Sequence, residues 1–166
     1  MIPTVHVECW TPGEDPGPRL RLAWQTGRAG LVCVTGVDVL RVRNALALPA
    51  LAHLDDSGSP LGPVLVNRPR RCVEIAVPAG ASVGWPDLAY TTCTTGALMI
   101  TPPPGATFAL GRFVGGRAWI MPPNYGPSTT DPDDLFEAVT VALVRQASQA
   151  LRESQSPADC PKEGRE

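Results

Sequence analysis

Lysine is almost missing from this 166-residue chain: Lys162 stands alone against thirteen arginines, the bias that a GC-rich bacterial genome imposes. A positive net charge is missing too. Fourteen Lys and Arg against sixteen Asp and Glu leave a formal charge of -2, so no global field draws a polyanion to the protein. Nucleic-acid binding would have to rest on a local patch. Aromatic residues make up only 5% of the chain and are not interleaved with the basic ones, as a base-stacking platform would require. Histidine is scarce, with His6 and His53 alone. The cysteines at 9, 33, 72, 93 and 160 form no CxxC pair and have no histidine at zinc-ligand spacing. That pattern excludes a zinc finger or ribbon and predicts reduced thiols. Nothing approaches the ~18 consecutive apolar residues of a membrane helix, and Met1–His6 lacks a basic stretch followed by an apolar one, so a cytoplasmic location with no membrane partner is expected.

What is present is an ordinary core-forming composition, 43% hydrophobic with mean hydropathy near zero, at a length that suits one domain. The chain divides into an irregular N-terminal arm over 1–18, a single domain over 19–153 and a disordered tail over 154–166. Pro3, Pro12, Pro16 and Pro18 break up the arm, which leaves room for a short strand near Val5–Trp10. Leu20, Leu22 and Trp24 alternate with Arg19 and Arg21, a pattern that fits either a half-buried strand or an exposed arm. Gly30–Gly36 and Val37–Arg43 read as two strands, the second strictly alternating.

Ala45–Asp56 reads as a helix, provided Pro49 lies in its first turn. Leu61–Val66 and Arg71–Val77 read as a hairpin with the basic turn Asn67-Arg68-Pro69-Arg70. A loop or short helix follows through Trp85 and Leu88. Thr91–Gly96 reads as a small-residue loop, Ala97–Thr101 and Arg117–Met121 as proline-terminated strands, and Gly111–Gly116 as a hairpin turn. Thr130 or Asp131 caps a long amphipathic helix that has Pro132 at its first position and Leu135, Phe136, Val139, Leu143, Val144, Ala147, Ala150 and Leu151 on one stripe. The fold class expected from this order is α+β, with a mixed or antiparallel central sheet and helices packed on it.

Val34-Thr35-Gly36, the strand Val37–Val42, the alanine-leucine helix, Leu61-Gly62-Pro63-Val64, Val77-Pro78-Ala79-Gly80-Ala81 and Ile100-Thr101-Pro102-Pro103 follow one another in that order. Together they resemble the bifunctional DNA primase/polymerase N-terminal domain of the archaeo-eukaryotic primase superfamily, common in actinobacterial genomes, over roughly residues 29–150. The resemblance implies a primase/polymerase-like fold related to the RNA-recognition motif and a connection with DNA replication. It also implies two-metal chemistry, in which an Asp-x-Asp pair on the strand after the Thr-Gly turn holds divalent cations. Arg41 and Arg43 stand at the matching positions, and guanidinium is no metal ligand. Asp38 lies on the opposite face of a regular strand, and only a bulge would bring it round. The histidine that the resemblance leads one to expect after the hairpin is not in Arg70-Arg71-Cys72-Val73-Glu74-Ile75.

The expectation is therefore a domain with a degenerate active site, with no catalytic residue, metal or cofactor assigned. It acts by binding a nucleic acid, a nucleotide or a protein partner. Arg41, Arg43, Arg68, Arg70 and Arg71 are the candidate phosphate or nucleic-acid ligands. The plainer reading is that these arginines are solvated charges blunting a sheet face and a turn. Two alternatives are a residual metal-dependent nucleotidyltransferase built on Asp38 and a structural or protein-interaction module. Cys33 and Cys72 are expected to be buried, inert thiols and the tryptophans to be core anchors or lids.

Overall fold

The structure, a computed structural model, describes residues 6–156. It contains β1 (Glu8–Trp10), α1 (Pro18–Gln25), β2 (Gly30–Val34), β3 (Val37–Arg43), α2 (Asn44–Asp56), β4 (Val64–Asn67), β5 (Cys72–Pro78), α3 (Ala81–Gly84), β6 (Thr91–Thr94), β7 (Leu98–Thr101), β8 (Arg117–Met121) and α4 (Pro132–Gln155). The fold class is α+β. Five strands form an antiparallel sheet in the order β6-β3-β5-β4-β8, and three form a mixed sheet in the order β1-β2-β7. Among the described residues no helix is long and apolar enough to cross a membrane.

Alternation along the strands of the larger sheet divides the core in two. Leu40, Val42, Val64, Val66, Val73, Ile75 and Val77 face the helix layer, where Leu46, Leu51 and Leu54 of α2 meet Leu135 and Val139 of α4. Val37, Val39, Leu65, Ala76 and Trp119 face the smaller sheet, against Trp10, Leu20, Val32, Val34 and Met99. Both faces of the larger sheet are thus covered, which explains why β4 and β5 are nearly continuous apolar runs.

The hairpin β4–β5 turns where the sequence places its turn residues. Asn67 Oδ1 accepts from Arg70 N at 3.2 Å, Arg71 N donates to Arg68 O at 3.0 Å, and Pro69 fixes the second position. At the second predicted turn, Val114 and Arg117 exchange backbone hydrogen bonds of 2.9 and 3.0 Å across Gly115 and Gly116, both at positive φ. Asp131, not Thr130, caps α4: its Oδ1 accepts from Asp133 N at 2.8 Å and Asp134 N at 3.1 Å. Thr130 is buried and accepts from Gly62 N instead.

Four expectations need correction. Residues 18–25 are a helix, neither strand nor arm. Pro18 opens it, and the Glu8 carboxylate accepts from Leu20 N at 2.9 Å, satisfying a first-turn donor from outside the helix. Leu20 and Trp24, four apart, turn to the core while Leu22 is left exposed. Thr91–Thr94 is a strand: its threonines are β-branched and suit extended backbone, and pairing with β3 fixes them there. Pro49 lies in the second turn of α2, not the first, and leaves Ala45 O without its usual i+4 donor; Gln146 Nε2 of α4 donates to that oxygen at 3.3 Å. Ser154 and Gln155 complete α4 and so do not belong to an irregular tail. The rest of the expected tail beyond 156, and Met1–Val5 of the arm, lie outside the described residues.

Candidate anion-binding site

β3 pairs with β5 residue for residue, from Val37 opposite Pro78 to Arg43 opposite Cys72, with no bulge. Asp38 therefore points to the helix side of the sheet. There its Oδ2 accepts from Gly80 N at 3.1 Å and Ser82 N at 2.8 Å, and its Oδ1 from Thr95 Oγ1 at 3.0 Å. Burial of Asp38 opposes ionisation, but the donors from Ser82, Thr95 and Gly80 outweigh it and hold the carboxyl below its ordinary range. Both of its oxygens are thus committed to organising the β5–α3 turn and the end of β6. Among the described residues, no three His, Cys, Asp or Glu side chains come together as a metal site.

Arg41 and Arg43 leave the strand on the opposite face, as alternation requires. Arg41 stands directly across from Glu74 in the ladder. Its Nε donates to Glu74 Oε2 at 2.9 Å, and its Nη2 crosses to the smaller sheet and donates to Leu98 O at 2.8 Å. Glu74 is fully buried, and its Oε1 accepts from Asn67 Nδ2 at 2.9 Å. A buried carboxylate is costly without such partners, so half of the Arg41 guanidinium is occupied by the protein itself.

Beyond Arg41 the surface opens into a cleft of about 520 Å³, lined by Arg41, Arg43, Arg70 and Arg71 with Cys72, Tyr90, Thr91 and Thr92. Four of the five predicted arginines are therefore brought together. Arg68 is not among them: its guanidinium carbon sits 3.5 Å above the centre of the Phe113 ring, on the far side of the hairpin turn. Within the cleft, Arg43 lies 4.5 Å from the centre of the half-exposed Tyr90 ring. Arg41 is the one cleft arginine with a carboxylate within ion-pair distance among the described residues.

Two local features hold this arrangement. Arg71 and Tyr90, at φ 53° and 64°, are the only non-glycine residues with positive φ among the described ones, and both line the cleft. That backbone costs each about 1–2 kcal/mol, and both carbonyls are used: Arg71 O accepts from Asn44 N, and Tyr90 O from Arg43 N. Arg43 is also the N-cap of α2, whose first turn contains no acid. The positive end of the helix dipole thus adds to the arginine charge with nothing to offset it locally.

Cys72, in the cleft wall, has its thiol pKa pushed up by burial and by Glu74, against smaller opposing effects from Arg41, Arg70 and Arg117. It is protonated and inert at neutral pH, as expected for a buried thiol. Cys33, in contrast, is only half-buried. Trp10 and Trp119 are core anchors, and neither faces the cleft.

No family model, curated protein or solved structure matches this chain. The cleft has therefore to be read from its own chemistry. Sequence reasoning missed Tyr90 in its lining and Glu74, buried behind Arg41. Tyr90 gives no periodic signal, being placed by β6, itself illegible. Glu74 does give one, as a single acid inside the valine-rich run Cys72–Val77.

Proposed function

We propose that the chain is a non-catalytic binding domain of primase/polymerase-like type whose arginine cleft takes the phosphate groups of a nucleotide or a single-stranded nucleic acid. The observation that carries this reading is the convergence of Arg43, Arg70 and Arg71, none facing a carboxylate among the described residues, around one cleft. Guanidinium forks match phosphate oxygens bidentately. The exposed Tyr90 ring gives a neighbouring base a surface to stack on, worth about 1–3 kcal/mol per base in single-strand binders. The volume of about 520 Å³ falls within the range of small-ligand sites. With a chain charge of -2, binding would be local and strongly salt-dependent.

The test reverses Arg43 and Arg70 to glutamate while leaving Arg41 in its structural ion pair. Binding of a labelled single-stranded oligonucleotide at low salt is expected to fall by about 100-fold or more, at about 1.4 kcal/mol per decade. The salt dependence should weaken by about two contacts, with the thermal transition unchanged. Unchanged affinity in the double variant, or no binding by the parent protein at low salt, refutes the reading.

A further inference from the structure

β1 is a three-residue strand at the edge of the smaller sheet, held in parallel register against β2 with Cys9 directly opposite Cys33. Neighbouring strands lie about 4.8 Å apart, and partners in register project side chains to the same face. That separation lies within the Cα···Cα window of about 4.4–6.8 Å that a disulfide spans. Trp10, Val32 and Val34 point into the core between the sheets, so alternation turns Cys9 and Cys33 outward together. Cys9 is exposed and Cys33 half-buried, and both are free thiols. The Cys33 sulfur makes only a weak 3.7 Å contact with Gly96 O, so little holds it away from Cys9.

We propose that Cys9 and Cys33 form a redox-active thiol pair that closes into a disulfide across the outer face of the smaller sheet, with a low-molecular-weight disulfide of the glutathione class as oxidant. The exposed Cys9 thiolate attacks one sulfur of the oxidant, breaking its S–S bond, forming a mixed disulfide and releasing one equivalent of reduced thiol. The Cys33 thiolate then attacks Cys9 Sγ and displaces the second equivalent. The protein thiols give up two protons and two electrons, and the oxidant is reduced to two thiols.

The bridge fastens more than three residues of strand. Glu8 caps α1 through Leu20 N, Arg19 Nη1 donates to His6 O at 2.7 Å, and Trp10 anchors the core. Joining Cys9 to Cys33 encloses α1 in a closed loop of about 25 residues, removing freedom from the unfolded chain. A bridge with one exposed sulfur on a short edge strand also has the character of a labile, reversible link and not of a permanent staple.

The experiment treats the full chain with oxidised glutathione, blocks the remaining thiols under denaturing conditions and maps the tryptic peptides by mass spectrometry. Trypsin separates residues 1–19 from 29–41, so the expected product is a linked pair of these two peptides that reductant separates. The thermal transition should rise by about 5–10 °C on oxidation and fall back on reduction. Cys9→Ser and Cys33→Ser should each abolish that rise and leave a glutathione adduct on the surviving cysteine. A wild-type protein in which Cys9 stops at the mixed disulfide overturns the proposal. A bridge to Cys72, Cys93 or Cys160, or an oxidised form with an unshifted transition, does so equally.

Discussion

Replacing Glu74 by glutamine removes one negative charge and almost no volume from the seam between the two sheets. In the native seam the carboxylate, with a side chain 1% exposed, faces Arg41 Nε at 2.9 Å and Asn67 Nδ2 at 2.9 Å. Glutamine retains one acceptor oxygen and sets an amide NH₂ against a donor, so at least one hydrogen bond is lost and Arg41 keeps its charge unpaired. Breaking a buried ion pair from one side costs about 3–5 kcal/mol. The Arg41 side chain is 16% exposed and still donates to Leu98 O, which places the expected loss near the lower end, about 3 kcal/mol. For a chain of this size, that lowers the thermal transition by about 6–12 °C.

The same substitution also unmasks a guanidinium at the mouth of the cleft. At an effective dielectric near 20 a like charge costs a bound anion about 2 kcal/mol at a separation of about 8 Å, so removing it strengthens binding by up to about thirtyfold. The assay is thermal unfolding followed by circular dichroism, with and without inorganic pyrophosphate. The expected pattern is a less stable apoprotein that gains more from the anion than the parent does. A transition within 2 °C of the parent would show that the seam does not depend on this ion pair. Weaker pyrophosphate binding would show that Arg41 does not serve the cleft.

Asp38→Asn should cost about 1–3 kcal/mol, because three donors lose an ionised acceptor. Since the folded-state pKa is lowered, the stability Asp38 contributes is fully present above its unfolded value of 3.8 and drains away as pH falls through the folded value. Acid titrations should therefore differ between parent and variant below about pH 4, and coincident acid-unfolding curves would contradict this account. At Gly62, an added Cβ would meet the backbone of Thr129 at 2.6–2.8 Å, whereas at Gly105 it would meet nothing within 4 Å. Gly62→Ala should lose about 1–3 kcal/mol through overpacking and Gly105→Ala should be near neutral, as denaturant midpoints will show; equal midpoints would count against the close approach of Gly62 to Thr129.

Elements whose residues sort between inside and outside were legible in the sequence. β3, the β4–β5 hairpin, α2 and the first half of α4 each have a periodicity or a turn signal that the packing then uses, whereas Val144 and Leu151 of the expected α4 stripe are exposed. The opposed directions of Asp38 and Arg41 followed from the same alternation. α1 was hidden because Leu20, Leu22 and Trp24 satisfy a two-residue period as well as the helical spacing of the two that are used, and the deciding cap comes from Glu8 on another element. β6 was hidden because its threonines, though β-branched, show no apolar alternation, and the pairing with β3 decides the matter. In the cleft, Arg41, Arg43, Arg70 and Arg71 could be named from strand and hairpin positions. Arg68, separated from Arg70 by Pro69 alone, could not be told apart from the others: whether it faces the cleft or the Phe113 ring is fixed by a second turn, more than forty residues further along the chain.

Pro49 leaves the oxygen of Ala45 open in the first turn of α2, and Gln146 occupies it from the neighbouring helix. A defect in one ladder thus acts as a key for another. If α2 slid along α4 by one turn, the apolar stripes would still overlap, but the glutamine amide would meet a carbonyl already bonded within its own helix. Greasy side chains alone tolerate several alignments of two helices. A single missing N–H, answered by a single side chain, distinguishes one of them.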